Sequence, residues 1–373
     1  MWKGHLSWIF QSRLTEDPIV CDVLLIHPSR ESYCLGRKAP LVAGMEAAGL
    51  SVEQYVEDED TRLLRNRHFT APRLKVPFVL RWYASHAEYL VNKYEAKVIL
   101  TERNGWVVPT FIKYLRRSGP KVVHLAHSIP SGESTRYGYF DYDHYLIFGQ
   151  SSYDYLSKIE DAFGSCAAHF AGPYFFSDWE GRPNKSRLVS EGQLRCLFLG
   201  GGPAYETSGE YLQYCSWLID WLTENPGALL YIKVHPRGAG IPWINESVKN
   251  PRIKILPLDT SLERCAADFD LIFSGYTNAI IDVARSGTPF MLLGSGEDYF
   301  SAEKFGIFRA KSPEELVDCI CRVFLDRNDY ISKVMEFYDF HVHERSHPRT
   351  AVLDIITKLT TGSAPAGRRL GCR

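Results

Sequence analysis

A group of basic side chains lies at the end of a predicted strand in the second half of the chain. The run 229–234 is rich in Leu, Ile and Val, which is typical of a buried strand, and Lys233, His235 and Arg237 lie at its end. Pro236 stops the ladder of hydrogen bonds and fixes the turn. One residue separates Lys233 from His235, so both side chains are expected on the same side of the strand. Such a cluster suits a diphosphate or a leaving phosphate. A structural role for the histidine is the alternative.

A glycine-rich turn follows another predicted strand, 194–200. Gly200, Gly201 and Gly202 have no side chains, so a ligand can approach the main chain at this turn. The sequence is neither a Walker A loop nor a complete dinucleotide-binding fingerprint. The turn is therefore a candidate phosphate site, with an ordinary connection between a strand and a helix as the alternative.

The third candidate is the junction between a predicted strand, 271–274, and the helix that follows it. This junction consists of Ser274, Gly275, Tyr276, Thr277 and Asn278. The first N–H groups of a helix have no partner within the helix, so together with the hydroxyl groups they can bind an anion. Thr277 or Asn278 can also cap the helix, and capping is compatible with ligand binding.

In the first half, the predicted strands 96–102 and 121–127 end in side chains that can move a proton. These are Glu102 and His127, and the polar residues Asn104, Ser128 and Ser131 follow them. Either side chain can take a proton from a hydroxyl group if burial or neighbouring charges bring its pKa towards neutrality. Glu102 is equally suited to an ion pair with Arg103 or with a neighbouring helix, so a structural role stays open.

Apolar runs alternate with segments of helical period along the chain, which favours parallel sheets with crossover helices. We therefore predict an α/β protein with two doubly wound domains facing each other across a cleft, and ligands beyond the carboxyl ends of the strands. The predicted strands are 21–27, 96–102, 121–127, 144–149, 194–200, 229–234, 253–256, 271–274 and 289–293.

The predicted domain boundaries follow from the same alternation. Residues 1–175 form a first domain, residues 176–345 a nucleotide-binding domain, and residues 346–373 a C-terminal helix and basic tail. The linker is placed between Gly172 and Gln193, where the sequence is rich in Gly, Pro, Ser and charge and has no sustained period.

Composition narrows the class of protein. At 373 residues the chain exceeds a minimal binding module, and 45% hydrophobic residues with 23% charged residues are typical of a folded protein. The formal net charge of −1 gives no overall field to attract nucleic acid, so any anion must be bound by a local site. A small phosphorylated ligand is expected, and nucleic acid is not.

The cysteines and histidines predict neither disulfides nor a metal site. The nine cysteines are odd in number and scattered, and the close pair Cys319 and Cys321 falls in a helical pattern, where both are interpreted as core residues. His341, His343 and His347 have a spacing that resembles metal ligands, but no cysteine or second carboxylate motif accompanies them.

No apolar run is long enough for a membrane-spanning helix or a signal peptide, so the chain is expected in the cytoplasm. The two ends are amphipathic or basic: residues 2–10 combine aromatic residues with Lys3, and the tail carries Arg368, Arg369 and Arg373. One interpretation is peripheral contact with the inner membrane surface. The other is a packed first segment and a frayed tail.

Several segments occur in the order found in a family of transferases. The segments ILTERNGW, VVHLAHSIPSGES, LFLGGG, YIKVHPR and SGYTNAIIDVARSGTPFMLL resemble the blocks of surface-polysaccharide glycosyltransferases of the GT-B fold. The resemblance spans residues 96–293 and is greatest to sialyltransferase-like, Kdo-transferase-like and CDP-glycerol glycerophosphotransferase-like enzymes of bacteria.

The resemblance implies roles for particular residues. His235 and Pro236 would hold the nucleotide phosphate next to the bond that breaks, and the Ser274 to Thr277 block would hold the phosphate or the cytidine side. His127 matches the first-domain histidine of the glycerophosphotransferase pattern, but Ser128 stands where that pattern has glycine. No acidic motif of the sialyltransferases has a clean copy here, so Glu102 is assigned by position.

These observations predict a metal-independent glycosyltransferase with no cofactor besides its nucleotide-sugar donor. The resemblance implies that it would move an ulosonic acid such as Kdo or sialic acid from a CMP-activated donor to a surface polysaccharide or lipopolysaccharide. The alternatives are a CDP-glycerol-type glycerophosphotransferase, a sugar-nucleotide epimerase, and a non-enzymatic polysaccharide-binding protein that keeps the fold.

Overall fold

The structure is a computed structural model that describes residues 17–57, 71–115, 119–130, 135–177, 193–275, 277–343, 347–363 and 365–371. The chain divides into two compact units. Unit 1 comprises Met1–Trp179 and Val342–Arg373, and unit 2 comprises Glu180–His341. Each unit has its own sheet, of seven strands in unit 1 and six in unit 2.

The strands of unit 1 are β1 (Ile19–His27), β2 (Val52–Val56), β3 (Tyr94–Thr101), β4 (Lys121–Leu125), β5 (His144–Ile147), β6 (Ser165–Phe170) and, at the C-terminus, β13 (Arg368–Gly371). The strands of unit 2 are β7 (Leu194–Leu199), β8 (Ala228–Lys233), β9 (Ile253–Ile255), β10 (Leu271–Ser274), β11 (Phe290–Leu293) and β12 (Arg309–Ala310).

The helices of unit 1 are α1 (Arg30–Cys34), α2 (Ala39–Ala47), α3 (Arg81–Lys93), α4 (Val108–Leu115), α5 (Gln150–Leu156) and the C-terminal α13 (Pro348–Thr360). The helices of unit 2 are α6 (Pro203–Glu206), α7 (Gly209–Glu224), α8 (Trp243–Lys249), α9 (Leu262–Cys265), α10 (Ala279–Arg285), α11 (Pro313–Leu325) and α12 (Arg327–His341). Short 3₁₀ turns accompany them.

The sheet of unit 1 has the order β2-β1-β3-β4-β5-β6-β13. Its strands pair in parallel except β13, which runs antiparallel to β6. The order reverses between β1 and β3, so this is the switch point where doubly wound sheets bind ligands. Val23, Leu100 and Val123 of the central strands pack with Met45 and Ile356 in a core that α2 and α13 cover.

The sheet of unit 2 has the order β9-β8-β7-β10-β11-β12, and all its pairs are parallel. Its switch point lies between β7 and β10. Leu197, Ile232 and Phe273 on neighbouring strands are fully buried, as expected for a parallel sheet covered on both faces. Helix α7 begins after Ser208, whose hydroxyl accepts a hydrogen bond from the N–H of Tyr211 at 3.2 Å.

The C-terminal segment differs from the predicted frayed tail. Helix α13 packs against α2 and β3, and β13 adds an antiparallel edge to the sheet of unit 1, so both elements belong to unit 1. Arg368 stacks over the ring of Phe170, with 4.7 Å between its Cζ and the ring centroid. Arg373 and residues 2–10 lie outside the described residues, so contact of the ends with a membrane surface stays a prediction.

Two further predictions need correction. The first part of the predicted linker is packed, because Tyr174 and Phe176 are buried. In α11, Cys319 is buried but Cys321 is exposed, so Cys321 is not a core residue. Helical periodicity sends residues two apart to different faces.

Within the ranges that the structure describes, no helix is long and apolar enough to cross a membrane.

Candidate functional site

The glycine turn of unit 2 approaches the end of β8 closely. A Cβ atom on Gly200 would lie 3.0 Å from the carbonyl oxygen of Lys233 and 3.2 Å from the nitrogen of His235. Gly200 is therefore needed because the two chain segments touch through their backbones. Gly202 differs, since a Cβ there would meet nothing within 4 Å. The main chain at Gly202 is open, as a ligand-binding turn requires, whereas on Gly201 a Cβ would collide with the ring of Tyr205.

The turn after β8 fixes the protonation of His235. The backbone N–H of Arg237 donates a hydrogen bond to Nδ1 of His235 at 3.1 Å, so the neutral imidazole carries its proton on Nε2. Burial and the neighbouring Arg237 charge lower the pKa of His235 below its usual 6.5. The ring is half-buried, while Pro236 and Arg237 are exposed. At neutral pH this turn presents one imidazole N–H donor and one cation.

A buried carboxylate holds the loop that continues this turn. Glu206 accepts hydrogen bonds from the N–H groups of Ala239 at 2.8 Å and Gly240 at 3.2 Å. A Cβ on Gly238 would collide with the carboxylate of Glu206 and displace it from these hydrogen bonds. Helix α6 and the turn after β8 are thereby tied together. Glu206 was not predicted from the sequence, although its position four residues after the glycine turn was a usable signal.

Lys233 has a different contact from the predicted one. Its Nζ donates to the carbonyl oxygens of Leu258 at 2.7 Å and Pro257 at 3.4 Å, in the loop after β9. Lys233 is 8% exposed, and burial lowers the pKa of its ammonium group. The side chain therefore stabilises the neighbouring loop, which revises its predicted direct role in phosphate binding.

The junction after β10 lies at the switch point of unit 2. Ser274 is fully buried, and its hydroxyl donates to the carbonyl oxygen of Gly275 at 3.0 Å. The hydroxyl of Thr277 accepts a hydrogen bond from the N–H of Ala279 at 3.3 Å. These contacts favour the capping role for Thr277, while Asn278, the N-cap residue of α10, makes no side-chain cap. Tyr276 lies outside the described residues.

The predicted residues of unit 2 therefore separate into two groups. Gly200, Gly202 and His235 come together at the adjacent ends of β7 and β8, and Gly275 follows the neighbouring strand β10. The side chains of Lys233, Ser274 and Thr277 are engaged in local hydrogen bonds.

A second polar cluster lies at the switch point of unit 1, around Glu102. Oε1 of Glu102 accepts hydrogen bonds from Nζ of Lys38 at 2.5 Å and from the hydroxyl of Ser32 at 2.9 Å. Oε2 accepts from the hydroxyl of Tyr174 at 2.7 Å. Glu102 follows β3, Ser32 and Lys38 follow β1, and Tyr174 follows β6. The folded sheet thus assembles four polar groups from three distant segments.

The charge states in this cluster distinguish Glu102 from His127. Burial alone would raise the pKa of Glu102, but the Lys38 charge and the hydrogen bonds from Lys38 and Tyr174 outweigh it and lower the pKa to about 2. Burial lowers the pKa of His127, and the nearby Glu102 charge offsets part of that effect. At neutral pH Glu102 is therefore ionised and fully engaged. His127 is a neutral, half-buried imidazole.

The remaining predicted residues of unit 1 are peripheral to this cluster. Asn104 lies in the turn after β3, with positive φ at the following Gly105. The hydroxyl of Ser128 pairs with that of Tyr137 at 3.2 Å. Arg103 forms an ion pair with Glu57. Ser131 lies outside the described residues.

Ser32, Lys38 and Tyr174 were not predicted from the sequence. Lys38 directly precedes a helix with a proline in its first turn, after the first strand of the sheet, and this position was a usable signal. Tyr174 had no such signal, because it falls in the segment that was interpreted as a linker.

Among the residues that the structure describes, no group of three or more His, Cys, Asp and Glu side chains is arranged to hold a metal ion. His341 is buried, and its Nε2 pairs with the carbonyl oxygen of Phe300 at 2.8 Å. His343 begins the connection to α13, where its ring contacts Phe170.

No protein-family model matches this sequence. No curated protein matches it either. Solved structures match in fold. The MnaA–UDP structure from S. aureus has a TM-score of 0.60 at 10% identity, covering 93% of this chain and 99% of that chain. A putative UDP-N-acetylglucosamine 2-epimerase from Listeria monocytogenes has a TM-score of 0.54 at 12% identity, covering 92% of this chain and 96% of that chain.

The glycotransferase of kitacinnamycin has a TM-score of 0.56 at 13% identity, covering 92% of this chain and 100% of that chain. Identities this low establish the fold alone. The two Rossmann-like α/β units have the GT-B fold, so the predicted fold class is confirmed.

Proposed function

We propose that this protein is a sugar-nucleotide-dependent glycosyltransferase whose unit 2 binds the donor. The observation that carries the proposal is the arrangement at the ends of β7 and β8. The open main chain at Gly202 belongs to a turn that touches the backbone around His235. His235 offers an Nε2–H donor and Arg237 an exposed cation. Backbone access, an N–H donor and a positive charge are what a nucleotide phosphate requires.

The proposed reaction breaks the bond between the anomeric carbon of the donor and a phosphate oxygen. The electron pair stays on that oxygen, and the N–H of His235 and the guanidinium of Arg237 stabilise the negative charge that develops there. The hydroxyl oxygen of the acceptor forms the new bond to the anomeric carbon. Its proton passes to a base.

We assign that base to His127. A general base must be unprotonated and able to accept a proton at working pH, and a neutral imidazole meets both conditions. Glu102 does not, because a carboxylate with a pKa of about 2 is too weakly basic. Lys38 and Tyr174 hold Glu102 ionised, and the Glu102 charge stabilises the imidazolium that forms when His127 takes the proton. Glu102 is thus a positioning residue in this proposal.

The donor is proposed to carry a pyrimidine nucleotide. The resemblance of the HP pair and the block that begins at Ser274 to sialyltransferase-like and Kdo-transferase-like enzymes favours a CMP-activated ulosonic acid and a surface-glycan acceptor. The uridine nucleotides named for similar folds, as in the MnaA–UDP structure, favour a UDP-sugar. The alternative reaction, transfer of glycerophosphate from a CDP donor, would use the same site to bind the phosphate of the nucleotide.

A second candidate is a sugar-nucleotide epimerase, and the fold similarity to UDP-N-acetylglucosamine 2-epimerases favours it. The two activities differ in their need for an acceptor. Incubating CMP-sialic acid, CMP-Kdo and UDP-N-acetylglucosamine separately, with and without glycan acceptors, distinguishes them. A transferase releases nucleotide in proportion to glycan product, whereas an epimerase converts the sugar nucleotide alone.

Nucleotide binding is tested by the shift in unfolding temperature with CMP, CDP, UDP, GDP and ADP. A ligand at 100 times its dissociation constant stabilises the fold by about 2.7 kcal/mol. We expect stabilisation by a pyrimidine nucleotide and its loss in His235→Ala, with the unliganded unfolding temperature unchanged. Equal stabilisation of the wild type and His235→Ala contradicts the proposal.

A further inference from the structure

Arg37 of unit 1 lies over an aromatic ring, and no acidic side chain among the described residues forms an ion pair with it. Its Cζ atom lies 3.3 Å from the centroid of the Phe175 ring, so the planar guanidinium stacks on the aromatic face. The side chain is exposed. In the part of the chain that the structure describes, it makes neither a hydrogen bond nor an ion pair. Its N–H groups are therefore open to solvent and to ligands.

The stacking orients these N–H groups. A guanidinium that lies flat on a ring uses its face for the contact and leaves its donors around the edge. The ring itself is fixed, because Phe175 contacts Phe148, Tyr174 and Phe176 edge to face, with centroids 5.9, 5.2 and 5.2 Å away. Little conformational entropy then remains to be lost when a ligand binds the guanidinium edge.

Arg37 lies in the electrostatic environment of the cluster around Glu102. The Glu102 carboxylate is matched by the Lys38 ammonium, and His127 is neutral at neutral pH. The Arg37 charge acts on His127, Lys38 and Tyr174, so it belongs to the same electrostatic environment. Arg37 therefore adds a positive charge to the surroundings of the imidazole, and its exposed guanidinium is accessible to an anion.

We propose that Arg37 is a specificity-determining residue that binds an oxyanion of the substrate through two parallel N–H···O bonds. The planar fork of arginine matches a carboxylate or a phosphate, each of which presents two oxygen atoms at the right spacing. This proposal rests on the proposed function and adds to it that the substrate bound by unit 1 carries a negative charge.

The oxyanion has two possible sources. One is a carboxylate on a sugar ring, and the other is a phosphate group. Glucuronate and glucose form a matched pair of probes, because they differ in the carboxylate on an otherwise similar ring. Inorganic phosphate probes the second source, and it is titrated with and without Arg37→Gln in a His235→Ala background so that the phosphate site proposed for unit 2 does not contribute. Binding to the full-length chain is measured by ligand-detected NMR titration.

We expect glucuronate or phosphate to bind the wild type. If the source is a carboxylate, glucose should bind more weakly than glucuronate. Arg37→Gln should weaken binding of the oxyanion that Arg37 recognises by about 10- to 100-fold, which is the scale of hydrogen bonds to charged groups. Arg37→Lys should recover part of this, because it keeps the charge but not the fork. If Arg37→Gln loses binding of glucuronate alone, the oxyanion is a carboxylate. If it loses binding of phosphate, the oxyanion is a phosphate group.

The matched control is Arg368→Gln, which removes another arginine stacked on an aromatic ring of unit 1. It should leave binding of both probes unchanged. The proposal is overturned if neither probe binds the wild type, or if Arg37→Gln and Arg368→Gln bind both probes equally well. Failure of the proposed function is detected by a separate measurement. In that case no nucleotide raises the unfolding temperature of the wild type, whatever the effect of Arg37→Gln on binding of the two probes.

Discussion

The Nζ atom of Lys38 lies 2.5 Å from Oε1 of Glu102, and both side chains are almost completely removed from solvent. Breaking a buried pair by removing one partner leaves an uncompensated charge. Lys38→Met should therefore lower the free energy of unfolding by about 3 to 5 kcal/mol. The control is Lys97→Met, which breaks the exposed pair with Asp22 and should cost about 0 to 1 kcal/mol. Urea unfolding of the two variants measures the difference.

The loss in Lys38→Met should depend on pH. The pKa of Glu102 is lowered from 4.5 to about 2, so its ionised form stabilises the folded state. That stabilisation is complete above the unfolded pKa and disappears as the pH falls from 4.5 towards 2. The free energies of the wild type and Lys38→Met should converge across this window. A difference that stays constant down to the lowest pH contradicts the electrostatic origin.

Gly200 and Gly202 lie in the same turn but should respond differently to alanine. The Cβ of Gly200→Ala would press on the backbone of β8 at 3.0 Å, so this variant should lose stability and displace His235. The Cβ of Gly202→Ala meets nothing within 4 Å, so stability should be unchanged. If the nucleotide approaches the main chain there, Gly202→Ala should still weaken nucleotide binding. Thermal unfolding with and without CMP or UDP reports both effects.

Substitutions of Lys233 and Arg237 should have opposite effects, one on the stability of unit 2 and the other on nucleotide binding. Lys233 donates to two carbonyl oxygens of the loop after β9, so Lys233→Met should destabilise unit 2 and leave the nucleotide dissociation constant within about twofold. Arg237 is exposed, so Arg237→Gln should leave stability unchanged and weaken nucleotide binding about tenfold or more. Calorimetric titration and urea unfolding of both variants test this. The reverse pattern restores Lys233 as the phosphate ligand.

The alternation of apolar runs was sufficient to predict the two sheets, because a parallel strand that is buried on both faces consists of a nearly uninterrupted run of apolar residues. The strands β2, β6, β12 and β13 were missed. β2 has only five residues, three of them polar or aromatic, and β6 is built mainly of small residues with weak strand preference. Their partners in the sheet stabilise them, and that information is not local.

The candidate site was predictable where its residues are neighbours in sequence. His235, Pro236 and Arg237 form one turn, so spacing alone brought them together. Glu102 is paired with Lys38 and Tyr174, which are 64 and 72 residues away, and the fold alone brings these three side chains into contact. Without those partners, the direction of the Glu102 pKa could not be deduced, and Glu102 and His127 stayed equivalent as candidate bases.

The pH dependence of turnover tests the role of His127. A base acts when unprotonated, so kcat/KM should fall as the pH drops through the pKa of His127, which burial places below 6.5. The charges acting on the ring are those of Glu102, which raises the pKa, and of Arg37 and Lys38, which lower it. Arg37→Gln should therefore move the acidic limb of the profile to higher pH, and Glu102→Gln should move it to lower pH.

The opposite signs of these two shifts distinguish an electrostatic effect from a loss of folding. A variant that merely unfolds loses activity over the whole profile and does not move the limb. His127→Gln should abolish the limb and reduce kcat by about 100-fold or more, the scale of general base catalysis. Arg368→Gln, whose charge is not among those that act on His127, should leave the limb in place. A limb unchanged in His127→Gln assigns the base to another residue.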